Sequence, residues 1–337
     1  MADEEQEEQQ DVSLWRLADL VTPMALRTAA TLNVADHLAD GPRTATELAQ
    51  ATGADSGALD RLLRYLTGIG VFGRDAGGRY ALTARGAELR SDHPGGLRDW
   101  LDTEGGLGRA ELSFVHLPHG VRTGTAAFPL QYGRGFWEDL AADPERTRSF
   151  DRAMGVDVAE WAAALIPAYD WAALGHVVDV GGGNGTLLAA LLTAFPGLRG
   201  TVLDQPATAA AARGTLEAAG LAGRGDAVEG SFFDALPKGA GGYLLCAILH
   251  DWDDDSARAV LRRCAEAAGE HGRVIVVEKV GADHESTVPA MDLRMLVYFG
   301  GRERGVAALT ALGADAGLRV SAVRTAGDIG IVEFTAA

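Results

Sequence analysis

The hydrophobic pattern of the chain changes near residue 176. Beyond it, short apolar segments rich in β-branched residues alternate with segments that have a helical pattern. The apolar segments are HVVDV, GTVLD, GYLLCAIL and RVIVVEK, and the helical segments between them end at Pro196, Gly220 and Gly269. This alternation predicts βαβ units and a parallel sheet with both faces covered. The final pair, RVSAVRT and IGIVEF, has no helix between its members and predicts an antiparallel hairpin.

Before residue 170 the pattern is mainly helical. Residues 12–40 contain Thr22-Pro23, a typical N-cap and first helical position, so we expect two helices there. The run MALRTAATLNVADHLAD is apolar on more than one side, and such a helix needs cover on two faces, which a partner subunit would supply. Residues 97–170 are rich in aromatic side chains, which suits either a pocket wall or an ordinary core.

Residues 44–90 have the pattern of a winged helix. Two short helices, TATELAQATG and SGALDRLLRYLTGIGVF, precede GRDAGGRYALT, which predicts two strands around Gly77-Gly78. A winged helix serves either as a DNA-binding module or as a packing and dimerisation module. The formal net charge of −17 favours the second use, because DNA phosphates demand a basic face.

Composition narrows the class of protein. The negative charge disfavours nucleic acid and anionic membranes as partners, and no apolar run approaches the ~18 residues of a membrane span. The acidic N-terminus has no signal-peptide pattern, and Cys246 and Cys264 form no CxxC pair, so we expect a cytoplasmic protein. We expect four parts: a disordered acidic tail over 1–11, a helical and winged-helix dimerisation domain over 12–110, a helical linker and pocket wall over 111–165, and a ligand-binding α/β domain over 166–337.

The segment HVVDVGGGNGTLLAALL carries the clearest local signal for a ligand. Its strand ends at Asp179-Val180, and the glycines that follow, Gly181 and Gly183 among them, let the backbone approach a ligand closely. Dinucleotide-binding folds share this layout, with an acid about 20 residues later for the ribose hydroxyls, where Asp204 stands. Thr186 breaks the GxGxxG fingerprint, however. An acidic strand end suits S-adenosylmethionine, which carries a sulfonium, an ammonium and a ribose diol but no phosphate; a tight turn without a ligand is the alternative.

Several further segments occur in the order and spacing of one enzyme family. They are VVDVGGGNG, VLDQPA, VEGSFFDALP, ILHDWDDDSARAVLRRC, GRVIVVEK and MDLRMLVYFGGRER. From about residue 14 onwards, the chain resembles the S-adenosylmethionine-dependent O-methyltransferases of the hydroxyindole/caffeic-acid type. DLVTPMALRTAATLNVADHL and LSFVHLPHGVRTGTAAF look especially like the actinobacterial branch that acts on aromatic polyketides, including anthracyclines. The resemblance implies a Rossmann-like methyltransferase domain, S-adenosylmethionine as cofactor, and a homodimer formed through the N-terminal helices.

The resemblance also assigns residues to the cofactor. It implies that Gly181 lies against the amino-acid part, Asp204 binds the ribose and Phe232 packs on the adenine. Where the family usually has GDFF, this chain has GSFF, so Ser231 replaces a carboxylate that accepts a bond from the adenine amino group. A hydroxyl is a weaker acceptor, which would weaken cofactor binding. The expected cofactor-site residues are Asp179, Gly181, Gly183, Asp204, Ser231, Phe232 and Cys246.

The segment AILHDWDDDSA contains a candidate base. A phenol has a pKa of about 10, so a base at its oxygen helps methyl transfer at neutral pH. His250 follows an apolar strand, at the edge where open α/β sheets bind ligands. Its second ring nitrogen needs an acceptor, and Glu278 and Glu303 are candidates. In the family, the matching positions hold the catalytic histidine and two flanking glutamates.

A metal site at HDWDDD is less favoured. Asp253, Asp254 and Asp255 stand directly before a helical pattern as N-cap and first-turn residues, so we expect no metal. Asp251 is a candidate for contact with the substrate. The resemblance places Met154, Met295 and Phe299 in the wall of the acceptor pocket, with plain core packing as the alternative.

These observations favour O-methylation of a phenolic hydroxyl on a polycyclic aromatic secondary metabolite, with His250 as base and Glu278 and Glu303 orienting it. Two alternatives stay open. One is a cofactor-binding homologue that performs hydroxylation, decarboxylation or a pericyclic step, although the complete histidine and glutamate set counts against it. The other is a regulator that places its winged helix on DNA.

Overall fold

Short helices and a small hairpin make up the N-terminal unit, Met1–Gly108. The computed structural model describes residues 13–280 and 288–337, so the predicted tail over 1–11 lies outside the described residues. The elements of this unit are α1 (Leu14–Ala18), α2 (Val21–Thr31), α3 (Val34–His37), α4 (Ala45–Thr52), α5 (Ser56–Gly68), β1 (Phe72–Arg74), β2 (Tyr80–Leu82), α6 (Ala84–Ala87) and α7 (Leu97–Leu101), and α8 (Gly106–Leu112) crosses its end.

The winged helix predicted over residues 44–90 is present. Thr44 and Glu47 form a capping box at the start of α4, and Gly53 ends that helix in the left-handed conformation. α5 follows, and β1 pairs with β2 in an antiparallel hairpin, as the sequence predicted. Leucines of α4 and α5 and the rings of Phe72 and Tyr80 form the buried core of the unit.

The start of α2 differs from the prediction. The helix begins at Val21, so Thr22 and Pro23 lie in its first turn and Thr22 is not the N-cap. Asp19 Oδ1 accepts a hydrogen bond from the backbone N–H of Val21 at 3.1 Å, and this contact satisfies the first N–H of the helix. The Thr22 hydroxyl bonds to the hydroxyl of Tyr65 instead. The region predicted as two helices therefore contains three, α1 to α3.

The second unit, Arg109–Ala337, opens with helices and continues into strands. Its helices are α9 (Leu117–Thr123), α10 (Phe128–Tyr132), α11 (Phe136–Ala141), α12 (Pro144–Ala168), α13 (Thr186–Ala194), α14 (Pro206–Ala218), α15 (Asp254–Ala268), α16 (Pro289–Phe299) and α17 (Val306–Asp315). Its strands are β3 (His176–Val180), β4 (Arg199–Asp204), β5 (Gly225–Glu229), β6 (Gly242–Cys246), β7 (Arg273–Lys279), β8 (Leu318–Ala326) and β9 (Ile329–Ala336).

These strands form one sheet with the order β5-β4-β3-β6-β7-β9-β8. The first five are parallel, and β9 and β8 add an antiparallel hairpin, which confirms the predicted fold class. The strand order reverses at β3, whose neighbours are β4 and β6. Open α/β sheets bind ligands beside such a reversal, at the carboxyl ends of the strands. The site is therefore expected where β3 and β6 end.

The sequence pattern did not predict one of the strands. β5, with the sequence GDAVE, lies at the edge of the sheet, and only Gly225 and Ala227 in it are buried. An edge strand pairs on one side and needs few β-branched residues, so its apolar signal is weak. No helix among the described residues is both long and apolar enough to cross a membrane.

Candidate active site

The glycine loop after β3 is shaped by close packing. Gly181 has a φ of 72°, and its N–H donates to the carbonyl of Leu203 on β4 at 2.8 Å. A Cβ at this position would lie 2.7 Å from Cδ1 of Ile248 and 3.3 Å from the ring of Phe232. Both the left-handed backbone and the lack of space therefore require glycine here.

Two carboxylates lie beneath this loop. Asp204 Oδ2 accepts the N–H of Gly183 at 2.9 Å, and its Oδ1 accepts the N–H of Gln205 at 2.7 Å. Asp179 is 1% exposed, and its Oδ2 has no hydrogen-bond partner among the described residues. Burial, with the charge of Asp204 adding to it, raises the pKa of Asp179 to about 7. An unpartnered buried acid beside a second acid suits a ligand with positive charge.

The other predicted cofactor residues lie around the same strand ends. Phe232 is half-buried, and Trp252 meets its ring edge-on at 5.7 Å. Ser231 is exposed, and its hydroxyl accepts the N–H of Phe233 at 3.2 Å. Burial raises the pKa of Cys246 well above its usual value, with Asp179 and Glu278 adding to the shift. Cys246 is thus a neutral thiol between the glycine loop and the next group of acids.

His250 lies in a short 3₁₀ turn, Leu249–Asp251, that follows β6. Its Nδ1 is 3.2 Å from Oε1 of Glu303 and 3.4 Å from Oε2 of Glu278. Its Nε2 is 3.4 Å from Oδ1 of Asp251. Glu278, at the end of β7, is 1% exposed, and its Oε1 accepts the N–H of Leu249 at 2.9 Å. The structure therefore brings together all three residues predicted to form the base, and adds Asp251 at the other ring nitrogen.

This arrangement changes the proton affinity of the imidazole. Burial alone would lower the pKa of His250, but the three neighbouring carboxylates, Glu278 first among them, raise it to about 10. Burial raises the pKa of Asp251 to about 7 and raises that of Glu278 as well. The neighbouring acids thus favour the protonated form of the imidazole. Nearby positive charge would favour the neutral form, in which histidine acts as a base.

Sequence reasoning missed the residues that hold this turn. Arg304 is 3% exposed and donates to the carbonyl of Leu249 at 2.6 Å and to that of Trp252 at 2.7 Å, on either side of His250. Asp292 Oδ1 accepts the backbone N–H of Glu303 at 2.8 Å. A Cβ on Gly301 would overlap the carbonyl oxygen of His250. The only sequence signal for these roles is that Gly301 and Arg304 flank Glu303 in FGGRERG.

Of the four acids in HDWDDD, Asp251 lies at the imidazole, and the other three do not. Asp253 caps α15 by accepting the N–H of Ser256 at 2.8 Å, as predicted, while Asp254 binds Arg302 and Arg304. Asp255 pairs with Arg258. The ligand atoms of His250, Glu278 and Glu303, in contrast, lie within 4.8 Å of one another, a spacing that would also suit a metal ion.

Aromatic side chains from α10, α11, α12 and α16 form a cluster in the same unit. Phe299 stacks on Trp137 with ring centroids 5.2 Å and planes 9° apart. Met295 is buried in this cluster, and Asp251 lies at His250 as described. Met154 is half-buried on α12, one turn beyond Phe150, and is not part of the cluster. The structure thus groups two of the four predicted substrate residues, Met295 and Phe299, and places the other two elsewhere.

Comparisons with known proteins agree with this architecture. A sequence model of the O-methyltransferase domain matches residues 114–319, and one of the O-methyltransferase dimerisation domain matches residues 15–91. The chain is 55% identical over 325 residues to a 2,7-dihydroxy-5-methyl-1-naphthoate 7-O-methyltransferase of Streptomyces carzinostaticus, covering 96% of this chain and 98% of that one. It is 43% identical over 339 residues to an aclacinomycin 10-hydroxylase of Streptomyces purpurascens, covering 97% and 90%.

A solved structure extends the comparison to three dimensions. It is an O-methyltransferase from neocarzinostatin biosynthesis, in complex with S-adenosylmethionine and 2-hydroxy-5-methyl naphthoic acid. It has a TM-score of 0.89 and 55% sequence identity, and the match covers 97% of this chain and 100% of that one. The family predicted from the sequence is confirmed: the chain belongs to the O-methyltransferases that carry an N-terminal dimerisation domain.

Proposed function

We propose that the protein transfers a methyl group from S-adenosylmethionine to a phenolic hydroxyl of a polycyclic aromatic metabolite of the polyketide type. The observation that carries this proposal is His250, held between Glu278 and Glu303 beside the glycine loop. The Streptomyces carzinostaticus relative is a naphthoate O-methyltransferase, and the related crystal structure contains a hydroxynaphthoic acid. Both support an acceptor with fused aromatic rings and a phenolic oxygen.

The residues at the glycine loop fit this cofactor. When bound, S-adenosylmethionine supplies an electrophilic methyl group on a sulfonium. Gly181 and Gly183 allow the backbone to approach the ligand, and Asp204 accepts bonds from the ribose hydroxyls. Asp179 places a buried, unpartnered acid where positive charge is needed. Phe232 packs against the adenine, Ser231 offers it a neutral acceptor, and Cys246 lies near the methionine end.

In the proposed mechanism, His250 removes the phenol proton. Its Nδ1 faces Glu278 and Glu303, which orient the ring and stabilise the imidazolium that forms. Its Nε2 is the atom that takes the proton, and Asp251 lies beside it to contact the acceptor. Positive charge bound at the neighbouring glycine loop lowers the raised pKa of His250, so that the imidazole is neutral and can accept a proton. Met154, Met295 and Phe299 are proposed to line the acceptor pocket.

The test combines binding with product analysis. Calorimetric titration with S-adenosylmethionine and with S-adenosylhomocysteine measures cofactor binding, and mass spectrometry on a panel of polyketide phenols measures turnover. A gain of one methyl group supports the proposal. Binding of both ligands with no methylation of any phenol contradicts it.

A second candidate function is hydroxylation. The 43% identical relative from Streptomyces purpurascens is a 10-hydroxylase, so this family includes members with other chemistry. The same mass spectra separate the two, because a hydroxylase adds an oxygen where a methyltransferase adds a methyl group. The complete set of His250, Glu278 and Glu303 favours methyl transfer.

We further propose a cytoplasmic homodimer that binds no nucleic acid. Several apolar side chains of α1, of α2 and of the link between them are exposed in the single chain, namely Leu14, Trp15, Leu17, Leu20 and Val21. Burying them against a second copy would remove apolar surface from water, in agreement with the dimerisation-domain match. We assign dimerisation to residues 12–110, the pocket wall to 111–165 and catalysis to 166–337. The net charge of −17 and the free cysteines Cys246 and Cys264 support the remaining assignments.

A further inference from the structure

The aromatic cluster contains a polar atom that the protein leaves unsatisfied. Nε1 of Trp137 is buried, yet no described residue accepts a hydrogen bond from it. Trp171 shows the usual situation, since its Nε1 donates to the carbonyl of Leu165 at 2.9 Å. A buried indole N–H normally finds a partner, because leaving it unpaired destabilises the folded state. An orphan donor of this kind therefore needs an explanation.

The surroundings of Trp137 point to the acceptor site. Its ring is parallel to Phe299 on one side and close to parallel to Trp252, with centroids 6.5 Å and planes 16° apart. Trp252 lies two residues after His250, at the end of the same turn. Phe150, from α12, meets Trp137 edge-on at 5.6 Å. These neighbours offer the N–H only ring edges and faces, which are weak acceptors.

A second buried donor without a hydrogen-bond partner among the described residues lies on the following helix, α12. Asp139, two residues after Trp137 on α11, is buried and is shared by three guanidinium groups, those of Arg109, Arg134 and Arg146. Arg146 also has a buried Nε without a hydrogen-bond partner among the described residues, although it lies 3.5 Å from a carboxylate oxygen of Asp143. Trp137 and Arg146 therefore present two buried N–H donors that no described residue satisfies with a hydrogen bond.

We propose that Trp137 is a specificity residue, which donates a hydrogen bond from Nε1 to a carboxylate or carbonyl oxygen on the aromatic acceptor, separate from the hydroxyl that is methylated. The proposal rests on the proposed function, because it takes the neighbouring site to be that of the acceptor. The indole N–H can only donate, so its partner must be an acceptor atom. The flat rings beside it select a flat ligand, and the N–H selects the oxygen that this ligand presents.

The test compares two acceptors that differ in one group. One is 2,7-dihydroxy-5-methyl-1-naphthoate, the acceptor of the Streptomyces carzinostaticus relative. The other is the same dihydroxynaphthalene without its carboxylate. Trp137→Phe keeps an aromatic ring and removes the N–H. We expect the KM for the carboxylate form to rise about tenfold, while its kcat and the KM for the second acceptor change by less than about twofold.

Thermal unfolding of the ligand-free protein gives an independent readout. Trp137→Phe removes an unpaired donor together with part of the ring packing, so its Tm should fall less than that of a variant that also loses a satisfied donor. The matched control, Trp171→Phe, removes a satisfied donor and should lower the Tm. A fall in Tm for Trp137→Phe as large as that of the control would mean that this N–H is already satisfied without a ligand, and would overturn the proposal.

Other outcomes are equally decisive. An equal rise in KM for both acceptors would mean that the ring matters and the N–H does not. If Trp137→Phe does not fold, the indole N–H proton resonance of the wild-type protein serves instead, and it should move downfield only with the carboxylate form. If the wild type methylates neither compound, the proposed function fails for these acceptors. Calorimetric binding of the pair to wild type and Trp137→Phe still tests the hydrogen bond.

Discussion

The glycine loop and the His250 turn both bury acids at the carboxyl ends of the sheet, but they satisfy them differently. At the loop, Asp179 has an oxygen without a partner, and Asp204 receives only backbone N–H groups. At the turn, Oε2 of Glu278 and Oε2 of Glu303 also lack a hydrogen-bond partner among the described residues, but the two acids face the imidazole of His250, and Glu278 accepts a backbone N–H as well. The acids of the turn are therefore placed around a basic side chain, whereas those of the loop are not, which leaves the loop suited to a bound cation. This difference predicts distinct effects of substitution on stability, binding and rate.

The largest effect should come from His250→Ala. Loss of the base should lower kcat by roughly 10²–10⁴-fold and leave the Kd for S-adenosylmethionine within about twofold. Steady-state kinetics and calorimetry measure the two quantities. The exposed His271 provides the control, and His271→Ala should change neither. A loss in kcat of less than about threefold would mean that positioning alone drives the reaction.

Arg304→Met tests whether the buried side chain of Arg304 holds the His250 turn in place. It leaves the carbonyls of Leu249 and Trp252 without their donor, which should reduce the free energy of unfolding by about 2–4 kcal/mol and kcat by about 10-fold or more. Arg304→Lys should restore part of both. Arg302 pairs with the same Asp254 but its side chain is 55% exposed, so Arg302→Met should cost less than about 0.5 kcal/mol. Urea unfolding gives the free energies, and equal losses in the two variants would contradict a special role for Arg304.

Asp179→Asn tests whether the glycine loop needs a bound cation to offset the charge of this buried carboxylate. The folded-state pKa of Asp179 is raised to about 7, so its ionisation destabilises the ligand-free protein progressively as pH rises from about 4 to about 7. The variant should therefore be more stable than the wild type by about 1–3 kcal/mol at about pH 8, with no gain at about pH 4. Its Kd for S-adenosylmethionine should rise about tenfold.

Thermal unfolding across this pH range measures the effect of Asp179→Asn. The exposed Asp226 is the control, and Asp226→Asn should not raise the Tm. A variant that is less stable than the wild type at every pH would show that the carboxylate is satisfied inside the protein.

Ser231→Asp should have the smallest effect. A carboxylate is a stronger acceptor than a hydroxyl, so the Kd for S-adenosylmethionine should fall about 3- to 10-fold if Ser231 contacts the adenine amino group. Ser231 is exposed, which leaves room for the longer side chain. Ser231→Ala is the matched control and should bind slightly more weakly than the wild type. Unchanged affinity in both variants would remove Ser231 from the cofactor site.

Much of the fold followed from residue patterns. The parallel strands, the C-terminal hairpin and the wing were predicted because buried strands read as continuous apolar runs and turns as glycine pairs. The edge strand β5 was missed because half of its residues face solvent. The start of α2 was misplaced because Asp19, outside the expected motif, satisfies the first N–H of the helix.

The candidate site was predictable only where its chemistry depends on the type of side chain. His250, Glu278 and Glu303 could be predicted to meet because a histidine base and its acceptors need particular residue types, and the structure brings the three together while their catalytic role stays a prediction. Arg304 could not, because its partners are main-chain carbonyls, which every residue carries. The unsatisfied N–H of Trp137 could not be predicted either. It arises because no described neighbour accepts its hydrogen bond, and only the three-dimensional packing decides which groups are neighbours.

Gly301 limits how this protein can be adapted to new acceptors. Its position against the carbonyl of His250 leaves no space for a side chain, so any substitution there would displace the base. On α16, in contrast, the side chains of Met291 and Met295 pack with the aromatic cluster. A mutant library that aims to alter substrate range should therefore vary residues 291 and 295 and keep Gly301 unchanged. Substitutions that change the substrate range are therefore expected on α16, and not in the loop after it, which contains Gly301.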